Sequence, residues 1–175
     1  MKALVLIDVQ KGFSDPFWGR RNNPDLESRL AELLRLWRAK GAPIYHVQHL
    51  STEYNSPLRP ERPGVAFMDF AKPIQGELVI QKNVNSAFIG TQLEKVFREA
   101  GVEELVLAGF TTDHCVSTTT RMAANLGFKV SLSSDTTATF DRTDIDGQHY
   151  SAELVHRVSL ASLNKEFATV VESFW

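Results

Sequence analysis

Three stretches of helical period in this chain each stop at a glycine just ahead of an apolar run of strand length, and that repeated join constrains the fold more than any other feature. Leu26, Leu30, Leu33, Leu34 and Trp37 recur at helix spacing up to Lys40-Gly41. Leu93, Val96, Phe97 and Ala100 do so up to Gly101, and Val116, Thr119, Met122, Ala123 and Leu126 up to Gly127. Glycine takes up the left-handed backbone that closes a helix without a Cβ penalty, so each join reads as a helix end followed by a strand. Strands are expected from Ala3 to Val9, Pro43 to Gln48, Leu78 to Gln81, Glu104 to Ala108, Lys129 to Leu132 and Ala168 to Val171. Their scarcity of polar residues fits strands covered on both faces, and the alternation with helices predicts an α/β fold with a parallel sheet. A further helix is expected from about Tyr150 to Leu163, with Leu154, Val158 and Ala161 on one face.

Two long segments break the alternation. One runs from Gln10 to Pro24 and holds Phe13, Pro16, Phe17, Trp18 and Gly19; the other runs from Leu50 to Gly76 and holds Pro57, Pro60, Pro63 and Pro73. Irregular loops of that length are commonly functional, as lids or oligomer contacts. Periodic elements on either side belong to the same alternation, so residues 1–175 are read as a single domain. A net charge of -2 gives no electrostatic reason to expect nucleic acid or an acidic membrane as partner. The apolar run before Asp8 is too short for a signal-peptide core or a membrane span, and a lone cysteine needs no oxidising compartment, so a cytoplasmic protein is expected.

That cysteine, Cys115, follows the strand candidate Glu104 to Ala108 and a tight turn, Phe110-Thr111-Thr112-Asp113-His114, at what reads as the first turn of a helix. There the helix macrodipole and unpaired N–H groups favour thiolate. Free cysteine is also among the most buried residue types and usually packs inertly, so position alone does not decide. Asp8 ends the first strand and Lys82 directly follows the third. In an open parallel sheet all three fall on the carboxyl edge, where ligands bind. A carboxylate, an ammonium and a thiol form a working acyl-transfer set: Asp8 takes the thiol proton and returns it to a leaving amine, and Lys82 counters the negative charge. Backbone N–H groups at Thr111 and Cys115 would face the oxyanion. Lys82 and the helix end favour thiolate, whereas burial and Asp8 oppose it.

The segments Leu4-Val5-Leu6-Ile7-Asp8-Val9-Gln10-Lys11-Gly12-Phe13, Lys82-Asn83-Val84-Asn85-Ser86-Ala87-Phe88 and Gly109-Phe110-Thr111-Thr112-Asp113-His114-Cys115-Val116 resemble the three signature segments of the isochorismatase-like cysteine hydrolases. The resemblance covers nearly the whole chain. It implies a doubly wound, six-stranded parallel sheet with helices on both faces, a catalytic triad of Asp8, Lys82 and Cys115, and a cis peptide between Phe110 and Thr111. It also implies hydrolysis of a C–N bond in a small amide, ureido or carbamoyl compound through a thioester, with no cofactor, in a homo-oligomer, either dimer or tetramer. The Asp-x-His element by which nicotinamidases in that family hold a metal is missing from Val47-Gln48-His49-Leu50-Ser51-Thr52-Glu53-Tyr54, and His46 and His49 need not converge, so no metal is expected. Two alternatives stand beside this reading. One is vinyl ether hydrolysis of the isochorismatase type; the other is a non-catalytic, redox-responsive binding protein, which would leave Asp8 and Lys82 unexplained.

The remaining expectations concern neighbours of the site. Phe13, Trp18, Phe88 and Phe140 are candidate pocket walls. His114 should point away from the sulfur, because adjacent residues on a helix diverge by about 100°, and Asp113 reads as an N-cap. Ser133-Ser134-Asp135-Thr136-Thr137-Ala138 is expected to form a hydrogen-bonded turn after the fifth strand.

Overall fold

The computed structural model describes residues 1–174. Its centre is a six-stranded parallel sheet built from β1 (Lys2–Ile7), β2 (Ile44–His49), β3 (Leu78–Lys82), β4 (Glu104–Phe110), β5 (Lys129–Ala138) and β8 (Thr169–Val171), in the order β3-β2-β1-β4-β5-β8. A two-stranded hairpin, β6 (Arg142–Thr143) and β7 (His149–Tyr150), lies outside it. The helices are α1 (Leu26–Ala39), α2 (Leu93–Glu99), α3 (Ser117–Asn125) and α4 (Ala152–Leu163).

Alternation along β1 sorts the interior into two cores. Ala3, Val5 and Ile7 face one way, against Leu93 and Phe97 of α2, Ala123 of α3 and Leu160 and Leu163 of α4. Leu4 and Leu6 face the other way, against Leu26, Leu30, Leu33 and Leu34 of α1. That second core is completed from the long loops by Phe13, Leu58, Met68 and Ala71. The loops thus occupy sheet surface that further helices would otherwise cover. Burying each such leucine is worth about 1.5–3 kcal/mol, which fixes β1 at the centre of the sheet.

The three glycine joins share one geometry. Gly41, Gly101 and Gly127 have φ of 61°, 67° and 89°. After each, the next residue donates back five positions, Ala42 to Trp37, Val102 to Phe97 and Phe128 to Ala123. These are the hydrogen bonds of a Schellman ending, and each turns the chain straight into the following strand.

Two expectations are corrected here. Ser133 to Ala138 is not a turn after the fifth strand but belongs to β5, which bulges: Leu107 pairs with Leu132 and Gly109 with Thr137, so five steps on β5 match two on β4. The bulge is tied by Ser133, which bonds Asp135 and Thr136, and by Asn23, whose amide donates to Ser134 O and Thr137 O. On α4 the buried face is Ala152, His156, Leu160 and Leu163, while Leu154 and Val158 are exposed. The helix carries apolar residues on two faces, and contact with the segment bearing Cys115 and with α3 selects the one that includes His156.

The strand order reverses between β1 and β4. Ligands of doubly wound sheets bind at such a switch point, beyond the carboxyl ends of the strands.

Candidate active site

Asp8 follows β1 directly with φ of 53°, a left-handed conformation that aspartate tolerates better than most residues and that commonly marks functional positions. Its N–H is held by Val47 O at 3.0 Å. Lys82 closes β3, two strands away from β1, and its side chain reaches across the end of β2. His49, the last residue of β2, is its register partner. The Lys82 ammonium is wholly buried and meets three acceptors: Asp8 Oδ2 at 2.8 Å, His49 Nδ1 at 2.9 Å and Cys115 Sγ at 3.3 Å. An ammonium has three protons and no acceptor, so all three are used, and His49 must carry its own proton on Nε2.

Asp8 Oδ1 is buried and has no hydrogen-bond partner among the described residues. It is a vacant acceptor on a carboxylate whose ligating oxygen, with His49 nitrogen and Cys115 Sγ, lies in a group spanning no more than 4.8 Å. Burial pushes the Cys115 thiol far above its ordinary range, the Asp8 charge adds to the effect, and Lys82 offsets it only in part. Of the opposing influences expected from the sequence, burial and Asp8 therefore win. Burial and the Asp8 charge thus favour the protonated thiol, close to a carboxylate, the arrangement from which a proton can be taken as the sulfur attacks.

Local backbone explains how the sulfur gets there. Gly109, opposite Ile7, has φ of 120°, and a Cβ at that position would stand 2.1 Å from Ile7 O, so only glycine lets β4 approach β1 this closely. The Phe110–Thr111 peptide is cis. Cys115 does not open an α-helix as expected. It lies in a π-helical turn, Thr112–Val116, in which Val116 N–H bonds Thr111 O at 3.1 Å, and α3 begins only at Ser117. Single π turns of this kind recur at functional sites.

The wider winding changes two expectations. Adjacent side chains diverge less than on an α-helix, and His114 lines the same cavity as Cys115 instead of facing away. Asp113 caps nothing. Its carboxylate accepts from Arg142 Nε at 2.8 Å and from Thr139 Oγ1, fastening the turn to the segment after β5. From the other side, His156 Nε2 donates to Ser134 O at 3.0 Å, which leaves Nδ1 to accept from Thr112 Oγ1 at 2.8 Å.

A cavity of about 320 Å³ opens onto the sulfur, and Asp8, Thr111 and Cys115 form its floor. Phe13, Phe17 and Trp18 from the first long loop and Ser51, Glu53, Ser56 and Leu58 from the second line it. The loops meet where Gly12 and Gly64 pack backbone to backbone; a Cβ on Gly64 would stand 2.8 Å from Gly12 Cα. Of the expected walls, Phe13 and Trp18 line the cavity. Phe140 is a backing ring, stacked on Trp18 at 5.8 Å and Phe13 at 6.2 Å. Phe88 is elsewhere, packed against Phe97 and Phe128 in the other core, and from its segment Asn85 lines the cavity.

Sequence reasoning missed Phe17 and Glu53, for which it held no signal. It also missed the contact of His49 with Lys82, which the end of a strand paired with the lysine's own strand was enough to suggest. Gln10 was missed too: fully buried, it accepts from His49 N–H at 2.8 Å and donates to His49 O at 3.0 Å, fixing that residue's backbone. His46 and His49 do not converge; His46 Nε2 is bound to Glu77 at 2.8 Å.

Asp8, His49 and Cys115 offer three ligand atoms close enough for a metal. The Lys82 ammonium, however, stands in contact with all three residues, so a cation of the protein's own already fills the position a metal would need. The donor set does not fit a metal.

Residues 2–173 match the family model described as Isochorismatase domain. The isochorismatase family protein YrdC of Bacillus subtilis is 45% identical over 170 residues, 97% of this chain and 91% of that protein. Nicotinamidase 3 of Arabidopsis thaliana is 27% identical over 97% of this chain and 84% of its own length. A solved isochorismatase-family structure from Chromobacterium violaceum superposes with a TM-score of 0.93 at 49% identity, covering 97% of this chain and 88% of that one.

Proposed function

The chain belongs to the isochorismatase family of hydrolases, and from that premise we propose that it is a cysteine hydrolase that cleaves the C–N bond of a small amide, ureido or carbamoyl compound. The observation that carries this reading is the buried ammonium shared by Asp8 and Cys115, on a carboxylate whose second oxygen has no partner among the described residues. A relative named nicotinamidase, an amide-cleaving enzyme, supports the choice of bond.

On this reading the substrate carbonyl lies over Cys115. As the sulfur forms its bond to the carbonyl carbon, the thiol proton passes to Asp8 Oδ1. The oxyanion is met by the N–H groups of Thr111 and Cys115. Collapse breaks the C–N bond, and Asp8 returns the proton to the departing nitrogen. Water then adds to the thioester and gives a proton to Asp8, and the expelled sulfur recovers it. Lys82 holds its charge throughout, stabilising whichever of carboxylate and sulfur is negative. The oxygen-binding role of the N–H groups rests on Thr111 and Cys115 both lining the cavity floor.

The test is a panel of amides, ureas and carbamoyl compounds scored for ammonia release, with Cys115→Ala as the inactive control. Mass spectrometry of the unmodified enzyme quenched in acid during turnover should reveal an acyl adduct on Cys115, and Asp8→Asn, which cannot pass the proton to the leaving nitrogen, should form none. Pyruvate release from isochorismate without ammonia release from any panel member would replace this reading with ether hydrolysis.

A further inference from the structure

The wall of the cavity has a charge pattern of its own. Among the described residues its lining includes no lysine or arginine. Lys82, the nearest cation, has every proton committed. Glu53 lies on the wall with its backbone N–H fixed by Ser51 Oγ at 3.2 Å, and its carboxylate has no ion-pair or hydrogen-bond partner among the described residues. The guanidinium groups of the same loop are directed elsewhere. Arg59 pairs with Glu61, and Arg62 donates to the backbone carbonyls of Asn55 and Tyr54 at 3.1 and 3.2 Å. Of the two imidazoles on the wall, His49 is held below its ordinary pKa chiefly by burial and then by the Lys82 charge, and the exposed His114 has the Asp113 carboxylate 3.5 Å from its Nε2 to offset a charge there.

The same cavity carries an aromatic surface. Trp18 has Phe13 at 5.1 Å and Phe17 at 5.0 Å between ring centroids, the Phe17 contact being edge to face, and its indole N–H is spent on Gly12 O at 2.8 Å. What these rings offer a ligand is therefore flat apolar area and electron-rich faces, which attract cations. An unpaired carboxylate and a ring cluster around one small cavity favour a positively charged guest. The same wall disfavours an anionic guest, since it holds no uncommitted cation to receive a second carboxylate.

We propose that the natural substrate is a small amide-type compound with a flat apolar body and a cationic amine, the amine received by Glu53 and the body by Phe13, Phe17 and Trp18. This inference rests on the C–N hydrolase reading for the word amide, but not for the charge preference. Glu53 acts here as a binding residue with no part in the proton transfers at Cys115.

Three isosteric probes separate the two: para-(aminomethyl)benzamide, para-(hydroxymethyl)benzamide and para-carboxybenzamide. Their binding to Cys115→Ala, which keeps the cavity and cannot turn over, is measured by calorimetry. The ammonium compound should bind at least tenfold more tightly than the carboxylate, with the neutral compound between them. Adding Glu53→Gln should reduce the spread to about threefold or less, and Glu53→Lys should invert it. Glu53 is exposed, so neither change threatens folding. Any other order of binding, a common failure to bind, or a spread unmoved by Glu53→Gln overturns the proposal. Ammonia release by the unmodified enzyme is read separately. Ordered binding without ammonia release would sink the C–N reading and leave the charge preference standing; ammonia release with unordered binding would do the reverse.

Discussion

His46 and His49 lie three residues apart on β2, each beside a buried carboxylate and a cation, yet the two clusters are wired to opposite ends. At His46 the carboxylate is Glu77, and both of its oxygens are occupied. Oε1 accepts from Arg38 Nε at 2.7 Å, while Oε2 accepts from Arg38 Nη2 at 2.9 Å, from Ile74 N–H at 3.0 Å and from His46 at 2.8 Å. Burial would raise its pKa, but the bonds from Arg38, Ile74 and His46 outweigh burial and bring it to about 2. At His49 the carboxylate is Asp8, with one oxygen on Lys82, the other without a partner among the described residues, and a thiol close to the carboxylate. A cluster that fills its acceptors is a brace; one that keeps an acceptor vacant next to a proton donor can do chemistry.

The contrast breaks most sharply on turnover. Cys115→Ser should lower kcat by about four orders of magnitude, and Asp8→Asn should approach that loss because an amide cannot take up and return the proton. Steady-state kinetics on any substrate found by ammonia release checks both. Near-normal turnover by Asp8→Asn would mean that the bare oxygen has no catalytic role.

Thiol reactivity is the next largest effect. Position ahead of α3 and a nearby lysine argue for a thiolate at neutral pH, whereas burial and the Asp8 charge push the Cys115 thiol far up. The fraction of thiolate then grows as pH rises, and iodoacetamide alkylation should accelerate by close to tenfold per pH unit between about pH 7 and 9 without levelling off. Lys82→Met should slow it further, since the ammonium is the one influence lowering the thiol pKa. A plateau below pH 8 would return Cys115 to the thiolate state, and full alkylation with retained activity would remove it from the mechanism.

Glu77 should respond in the other currency, stability. Replacing it by glutamine breaks a buried ion pair, and a loss of roughly 3 kcal/mol is expected, about a hundredfold in the folding equilibrium, with kcat within threefold. At this chain length that is a fall in Tm of roughly 6–12 °C. The pH dependence has a definite sign. A carboxyl depressed to about 2 in the folded state contributes stability that is complete above the ordinary glutamate value of 4.5 and is lost as pH falls toward 2. Urea midpoints between pH 6 and 2.5 should therefore drop steeply in the parent and less steeply in Glu77→Gln. Equal slopes would show that Glu77 is not the brace.

How much of this was legible in the sequence divides along the same line. Strand-end residues and helix-ending glycines act through local backbone preference and alternation, so the sheet, its strands and the meeting of Asp8, Lys82 and Cys115 at one edge were readable. Features set by long-range fit were not. The π turn at Thr112–Val116 and the β5 bulge are tied to each other by His156, which bonds Thr112 on one side and Ser134 on the other. No periodicity records such an arrangement. The exposed face of α4 shows the same limit, because a helix with two apolar stripes does not say which one the core will take.

The smallest expected effect tests whether His49 belongs to the chemistry or only to the wiring. Its Nδ1 accepts the third Lys82 proton, and burial, then the Lys82 charge, hold the ring below its ordinary pKa despite Asp8. A ring kept neutral in this way orients the ammonium and does not shuttle protons. His49→Leu removes the acceptor and leaves one buried ammonium proton unsatisfied, so kcat should fall roughly tenfold as Lys82 re-aims. His49→Asn, whose side-chain oxygen can accept the same proton, should recover most of that loss. The pH–rate profiles of all three proteins should share their limbs, because no imidazole titrates in the mechanism. If the asparagine variant were as impaired as the leucine variant and its profile lost an acid limb, His49 would be an acid–base group, and the vacant oxygen of Asp8 would no longer suffice to explain the site.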